Sequence, residues 1–172
     1  LANKKNLNQQ LLPNVDIKGI PKALKNTAIP FFYNDFNTLQ KIVNKHNIGI
    51  IKMEVFRNIP PKKNFLKKVR ELANRKKIIL IFDECTSGFR ENYGGLHLRY
   101  GVEPDIAIFG KAIGNGHAIT AVIGKKKIMA EAQNTFISST FWTERSGPVA
   151  ALKTLEIMKR EKTWKVITKI GK

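Results

Sequence analysis

The sequence predicts an α/β fold with a mostly parallel sheet flanked by helices, and three observations indicate it. Short apolar runs typical of strands alternate with segments whose apolar residues recur at helical spacing. One run, residues 78–82, is continuously apolar, as expected of a strand covered on both faces. The 172 residues are 42% apolar, which suffices for a hydrophobic core and is too apolar for a disordered chain.

The first elements are defined by prolines and helix caps. Residues 1–30 are polar and contain three prolines, which predicts an irregular lead-in segment. Asn34 or Asp35 is placed to cap a helix that ends near His46, because apolar residues recur at helical spacing between them. A strand is then predicted over residues 48–55.

The later elements continue the alternation of helices and strands. A second helix is predicted over residues 62–76, because Pro60 and Pro61 suit a helix start and apolar residues then share one face. A turn-rich stretch follows the apolar run at 78–82 and extends to Pro104. The remaining predictions are strands over residues 106–109 and 118–123 and helices over residues 148–160 and 162–169.

The formal charge of +18 raises the alternative of a cationic nucleic-acid-binding module. The basic residues are scattered in ones and twos, however, and only 7 of the 31 are arginine, the residue that bidentate phosphate contacts favour. The distribution therefore favours solvated lysine faces and predicts no specific nucleic-acid partner.

Compartment and extent are also predicted from composition. A single cysteine excludes an intramolecular disulfide and a multi-cysteine zinc site, which favours a reducing cytoplasm and no metal. The longest uncharged stretch has 13 residues, so no membrane association is expected, and no apolar run near the N-terminus suggests a signal peptide. The chain opens with Leu and stops without a change of composition, so we expect an internal fragment of a longer protein.

Two nucleotide-binding interpretations lack part of their motif. An Asp-Glu pair follows the run at residues 78–82, as in the magnesium-binding strand of ATPases, but the partner phosphate loop GxxxxGK[ST] is missing. The nearest match has Asp105 in place of the first glycine and Ala112 in place of the hydroxyl residue. A nearby Gly-Asn-Gly sequence resembles a dinucleotide fingerprint, but Ile119 replaces its third glycine.

A third interpretation joins an aspartate and a lysine at the ends of two buried strands. Asp83 ends one strand, and Lys111 follows the next strand 28 residues later. We expect a lysine there to be partly desolvated and nucleophilic, while the aspartate can hold a protonated heterocyclic nitrogen. This is the pair that pyridoxal phosphate needs. A strand-end lysine is more often solvated and an Asp-Glu pair often caps a turn, so spacing alone leaves both interpretations open.

The chain resembles the class III pyridoxal-phosphate-dependent aminotransferases in two long motifs. One is Ile-Phe-Asp-Glu-Cys-Thr-Ser-Gly-Phe-Arg over residues 81–90, and the other is Pro-Asp-Ile-Ala-Ile-Phe-Gly-Lys-Ala-Ile-Gly-Asn-Gly over residues 104–116. Gly88-Phe-Arg90, and Gly94-Gly95 followed by Tyr100-Gly-Val, are similar to the glutamate-1-semialdehyde aminomutase branch.

The resemblance implies a fold and an activity. The fold is the central part of the fold-type I large domain, here residues 31–172, with the N- and C-terminal parts of the enzyme missing. The activity is transfer of an amino group between a small-molecule amino donor and a carbonyl acceptor through a lysine Schiff base with pyridoxal 5′-phosphate, in a homodimer. Aminotransferase and aminomutase both stay open, and so does a catalytically inactive relative that only dimerises. Because family subunits are more than twice this length, we expect the isolated segment to be inactive.

The resemblance also assigns roles to individual residues. Lys111 matches the Schiff-base lysine, which also shuttles the substrate α-proton, and Asp83 matches the carboxylate that bonds the pyridinium nitrogen. Thr143 matches the threonine that binds the cofactor phosphate of the neighbouring subunit.

At three further positions the residue differs from the one usual in the family's motifs or in a neighbouring position of the motif. Cys85 stands where a valine usually lies against the ring, and Thr86 stands where many members have a glutamine beside the ring hydroxyl. Glu54 aligns with a Glu-Pro element near the active site, although Val55 replaces the proline. We carry all three as cofactor-binding candidates.

Overall fold

The structure of the protein is a computed structural model that describes residues 21–24, 27–56 and 58–171. The chain divides into two compact units, Leu1–Ile48 and Gly49–Lys172. Most of the predicted lead-in over residues 1–30 lies outside the described residues, and its described part includes a short 3-10 helix, Lys22–Leu24.

The first unit contains α1, Phe36–Lys45, which confirms the predicted helix. Asp35 is its N-cap, since the carboxylate accepts hydrogen bonds from the backbone N–H of Thr38 at 3.0 Å and from its hydroxyl at 2.6 Å. Asn34, the other candidate cap, has a left-handed backbone with φ of 67°.

The second unit is built on a four-stranded sheet in the order β1-β2-β3-β4. Its strands are β1 Ile50–Glu54, β2 Ile79–Asp83, β3 Ile106–Phe109 and β4 Ala121–Gly124. The first three are parallel and β4 is antiparallel to β3, which confirms the mostly parallel sheet. β4 begins later than the predicted residue 118, because the preceding residues form a turn in which His117 N–H donates to the Gly114 carbonyl at 3.0 Å.

Helices precede and follow the strands of this unit. They are α2 Phe65–Lys76, α3 His97–Tyr100, α4 Lys126–Met129, α5 Ser146–Glu161 and α6 Thr163–Ile170, with 3-10 helices Lys111–Ile113 and Ala130–Asn134. α2, α5 and α6 confirm the three predicted helices. No helix within the described ranges is both long and apolar enough to cross a bilayer.

Alternate residues of β1 and β2 face a core shared with α2. The buried side chains of this core are Ile51, Met53, Leu80 and Phe82 from the strands and Phe65, Leu66, Val69, Leu72 and Ala73 from α2. Side chains alternate between the two faces of a strand. The intervening residues, among them Lys52, Glu54 and Asp83, therefore lie on the other face and are less buried.

Asp105, directly before β3, connects this strand to α2, to β2 and to the residue that follows β4. Its carboxylate accepts a hydrogen bond from the Leu80 backbone N–H at 2.8 Å and ion pairs from Arg70 at 2.8 Å and Lys125 at 2.6 Å. Burial by itself would raise the pKa of Asp105, but these three donors outweigh it and the pKa lies below its usual value.

We predict that Asp105→Ala lowers the free energy of unfolding by about 3–5 kcal/mol, because Arg70, only 13% exposed, loses its counter-ion. Because folding lowers the pKa of Asp105, the ionised carboxylate stabilises the folded protein at pH values above the unfolded-state pKa. This stabilisation is lost as pH falls through the folded-state pKa. Urea unfolding at several pH values measures it. Glu156→Ala, which breaks an exposed pair with Lys153, is the control and should cause no measurable change. Equal midpoints for Asp105→Ala and wild type would contradict the prediction.

Candidate active site

The carboxyl ends of the three parallel strands place the predicted site residues at one edge of the sheet. Glu54 ends β1 and is in register with Asp83, which ends β2, and Asp83 is in register with Ile108 of β3. Gly110 and Lys111 follow the end of β3 directly. Open α/β sheets bind ligands at this edge.

Asp83 is an ionised carboxylate held by neighbouring donors. Its Oδ2 accepts from Lys52 Nζ at 2.7 Å, and its Oδ1 accepts from the backbone N–H of Cys85 at 3.2 Å. Burial alone would raise the pKa of Asp83, but the hydrogen bonds from Lys52 and Cys85 outweigh it and lower the pKa. The carboxylate is therefore charged at neutral pH.

Cys85 presents a neutral thiol to the same site. Burial raises the pKa of Cys85, and the neighbouring Asp83 carboxylate, which accepts a hydrogen bond from the thiol, raises it further. The positive charges of Lys111 and Lys52 act against these effects without cancelling them. A neutral thiol behaves as a small apolar group, which is what the predicted contact with a ring face requires.

Lys111 lies in a tight turn that brings its amine to the hydroxyl of Thr86. The residue has a left-handed backbone with φ of 45°, and its Nζ donates to Thr86 Oγ1 at 2.9 Å. The side chain is exposed, so the expected partial desolvation is wrong: the residue lies beyond the end of β3, in the 3-10 helix Lys111–Ile113. Among the described residues Lys111 has no ion-pair partner, which leaves its amine available.

Gly110 lets this turn approach the end of β2. A Cβ on Gly110 would lie 3.3 Å from Cys85 Sγ, a tight contact, and 3.5 Å from Thr120 Cγ2, an ordinary one. A glycine here therefore allows the loop after β3 to lie against the loop after β2.

The structure brings together five of the six predicted site residues. Glu54, Asp83, Cys85, Thr86 and Lys111 share the edge of the sheet. Thr143 lies elsewhere, exposed in the turn before α5, and the described residues show no contact between it and the others.

Lys52, the cation that pairs with Asp83, was not among the predicted site residues. The signal was present, because Lys52 interrupts an apolar strand and precedes Glu54 by two residues. Period-two alternation places these two side chains on the same face of the sheet.

A buried network around Glu84 was also missed. Glu84 is 0% exposed, and its Oε1 lies 2.9 Å from the backbone nitrogen and 2.8 Å from Nδ1 of His97, while Oε2 accepts from the Ser87 hydroxyl. Burial favours a higher pKa for Glu84, but these donors outweigh it and lower the pKa. The alternation that buries Leu80 and Phe82 could have shown that Glu84 is buried, whereas nothing in the sequence indicated its partner.

The Glu84 network fixes the loop that carries Cys85 and Thr86. Because the Ser87 hydroxyl donates to the Glu84 carboxylate and the Gly88 backbone N–H donates to the Glu84 carbonyl at 2.8 Å, the short segment that contains Cys85 and Thr86 is closed at both ends on Glu84. These contacts hold the backbone of Cys85 and Thr86 in place beside Asp83.

Known proteins match both the sequence and the fold. The model of the family "Aminotransferase class-III" matches residues 58–172. The chain is 42% identical to a 3-aminobutyryl-CoA aminotransferase of Cloacimonas acidaminovorans, over 92% of the chain and 41% of that protein. It is 37% identical to a glutamate-1-semialdehyde 2,1-aminomutase of Sulfolobus acidocaldarius, over 89% of the chain and 38% of that protein.

A solved structure supports the same fold. The PLP internal aldimine form of the FumI protein of Sphingopyxis sp. MTA144 superposes with a TM-score of 0.77 at 26% identity, over 82% of the chain and 36% of that protein. The chain spans about two fifths of the length of the curated relatives that it matches. None of these matches supports the nucleic-acid-binding alternative.

We predict that Cys85 is alkylated by iodoacetamide at neutral pH more slowly in the folded protein than after unfolding in urea. The raised pKa of the thiol lowers the fraction of reactive thiolate. Mass-spectrometric mapping of the Cys85 peptide over time measures both rates. A folded-state rate equal to the unfolded-state rate, corrected for urea with a free thiol standard, would contradict a raised pKa of the Cys85 thiol.

Proposed function

Because the chain belongs to the class III aminotransferase family, we propose that the complete protein transfers an amino group with pyridoxal 5′-phosphate as cofactor. The substrates are a small-molecule amino donor and a carbonyl acceptor, in transamination or in an aminomutase reaction. The observation that carries the proposal is that an amine without an ion-pair partner among the described residues, Lys111, and an ionised carboxylate, Asp83, both lie at the ends of neighbouring parallel strands.

The chemistry of these side chains fits the cofactor. Lys111 would hold the cofactor covalently at its aldehyde carbon, and Asp83 would hold its protonated ring nitrogen. Thr86, whose hydroxyl already contacts the Lys111 amine, would donate to the ring hydroxyl, and the neutral Cys85 would lie against the ring. When bound, the cofactor supplies an electron sink that stabilises negative charge on the substrate α-carbon.

The residues of the chain then perform two tasks. Asp83 remains ionised and stabilises the positive charge on the ring nitrogen throughout the reaction. The free amine of Lys111 would remove the proton from the substrate α-carbon and return a proton in the second half of the transfer. Glu54, in register with Asp83, is a further cofactor-site residue.

We also propose that the protein is a cytoplasmic homodimer. Thr143 is exposed and lies next to Phe141 and Trp142, which are exposed as well, so this turn is available to a second subunit. Its threonine would bind the cofactor phosphate of that subunit. The single cysteine of the chain favours the reducing cytoplasm.

Lys111→Ala is expected to abolish the absorption band near the visible edge that appears when the complete wild-type protein is titrated with pyridoxal phosphate. The variant lacks the amine that binds the cofactor covalently. Lys127→Ala, which removes another exposed lysine, is the matched control and should retain the band. A wild-type protein without the band would overturn the proposed function. A wild-type protein that has the band but exchanges no amino group would identify the inactive relative.

Asp83→Asn is expected to slow removal of the substrate α-proton by about 100-fold or more, because the neutral amide no longer stabilises the charged ring nitrogen. Exchange of the α-proton of an amino donor in deuterated water measures this step directly. Circular dichroism and urea unfolding should show a retained fold, since Asn has nearly the shape of Asp. Exchange at the wild-type rate would show that Asp83 does not have this role.

A further inference from the structure

Lys52 reaches the site residue Asp83 from the neighbouring strand. It is in register with Ile81, two residues before the end of β2, and its side chain extends along the sheet so that Nζ lies 2.7 Å from Asp83 Oδ2. The Lys52 side chain is 55% exposed and that of Asp83 is 24% exposed, so the pair lies at the surface of the site.

The other groups around Asp83 include a second carboxylate. Glu54 is in register with Asp83 from β1, Cys85 donates its backbone N–H and its thiol, and Lys111 lies beyond Cys85 on the turn after β3. Lys52 is the one cation that contacts Asp83 within the described ranges. Partial burial favours the neutral form of the Asp83 carboxyl group, and the contact with Lys52 acts against it.

The ion pair leaves room for a further donor on Asp83. An ionised carboxylate offers about four lone-pair positions, and the described contacts of Asp83 are those with Lys52 and with the N–H and thiol of Cys85. A ring nitrogen that carries a proton can therefore bind Asp83 while Lys52 stays in contact.

We propose that Lys52 is a positioning residue for the cofactor, which holds the Asp83 carboxylate ionised and oriented before the ring nitrogen binds. This inference rests on the proposed function. Lys52 itself performs no chemical step; it acts through Asp83.

The test is the affinity of the complete protein for pyridoxal phosphate as a function of pH. Lys52→Met removes the charge and keeps an unbranched side chain, Lys52→Arg keeps the charge, and Lys153→Met removes a lysine of similar exposure that pairs with Glu156 on α5. Since Lys52 lowers the pKa of Asp83, removal of Lys52 raises that pKa. As pH is lowered, the variant therefore loses the affinity that depends on ionised Asp83 at a higher pH than the wild type does.

We expect Lys52→Met to bind the cofactor about two- to fivefold more weakly than wild type on the acid side, as for an exposed ion pair, and almost equally at pH 8. Lys52→Arg and Lys153→Met should follow the wild-type profile. High salt should reduce the difference, because it screens the pair.

Three results would overturn the inference. Identical profiles for Lys52→Met and wild type would show that Lys52 is only a solvated lysine. Tighter binding by Lys52→Met at all pH values would show that Lys52 competes with the ring nitrogen. Failure of the wild type to bind the cofactor would overturn the proposed function as well. The first two results differ from it because in both of them the wild type binds the cofactor.

Discussion

The parallel register of β1, β2 and β3 is the constraint on which the site depends. It aligns Glu54 with Asp83 and Asp83 with Ile108, so that residues distant in sequence end at one edge of the sheet. A slip of one residue would turn Asp83 into the core and expose Phe82, which is fully buried. The hydrophobic pattern that specifies the core therefore also specifies which polar side chains meet at the site.

The adjacent residues Asp83 and Glu84 lie on opposite faces of the sheet and have different contacts. Asp83 lies on the less buried face, where its contacts leave a lone pair for a ligand. Glu84 continues the buried face, where His97 and Ser87 bind its carboxylate and tie down the following loop. The Asp83 carboxylate therefore keeps a lone-pair position open, and the contacts of Glu84 hold the loop that follows it.

Much of the fold and of the site could be predicted from the sequence, because strong periodic signals mark them. The apolar run of β2, the helical spacing in α2 and the polar cap Asp35 of α1 gave correct elements. The short helices were missed, since three to five residues carry too little periodicity. The antiparallel direction of β4 depends on how the turn after β3 closes, which local composition does not specify.

Side-chain pairing explains the remaining differences. Asp83 and Lys111 could be predicted from their places after buried strands and from the family motifs, but the contact between Lys52 and Asp83 arises only when two strands pair. His97 carries no signal in its own neighbourhood, because its partner Glu84 lies 13 residues away in sequence.

In the proposed reaction, Asp83 and Lys111 hold one cofactor ring from two sides. A crystal structure of the complete protein grown with pyridoxal phosphate tests it most directly. We expect a covalent bond from Lys111 Nζ to the cofactor and a hydrogen bond between the ring nitrogen and the Asp83 carboxylate. A cofactor bound through another lysine, or with its ring nitrogen directed away from Asp83, would contradict it.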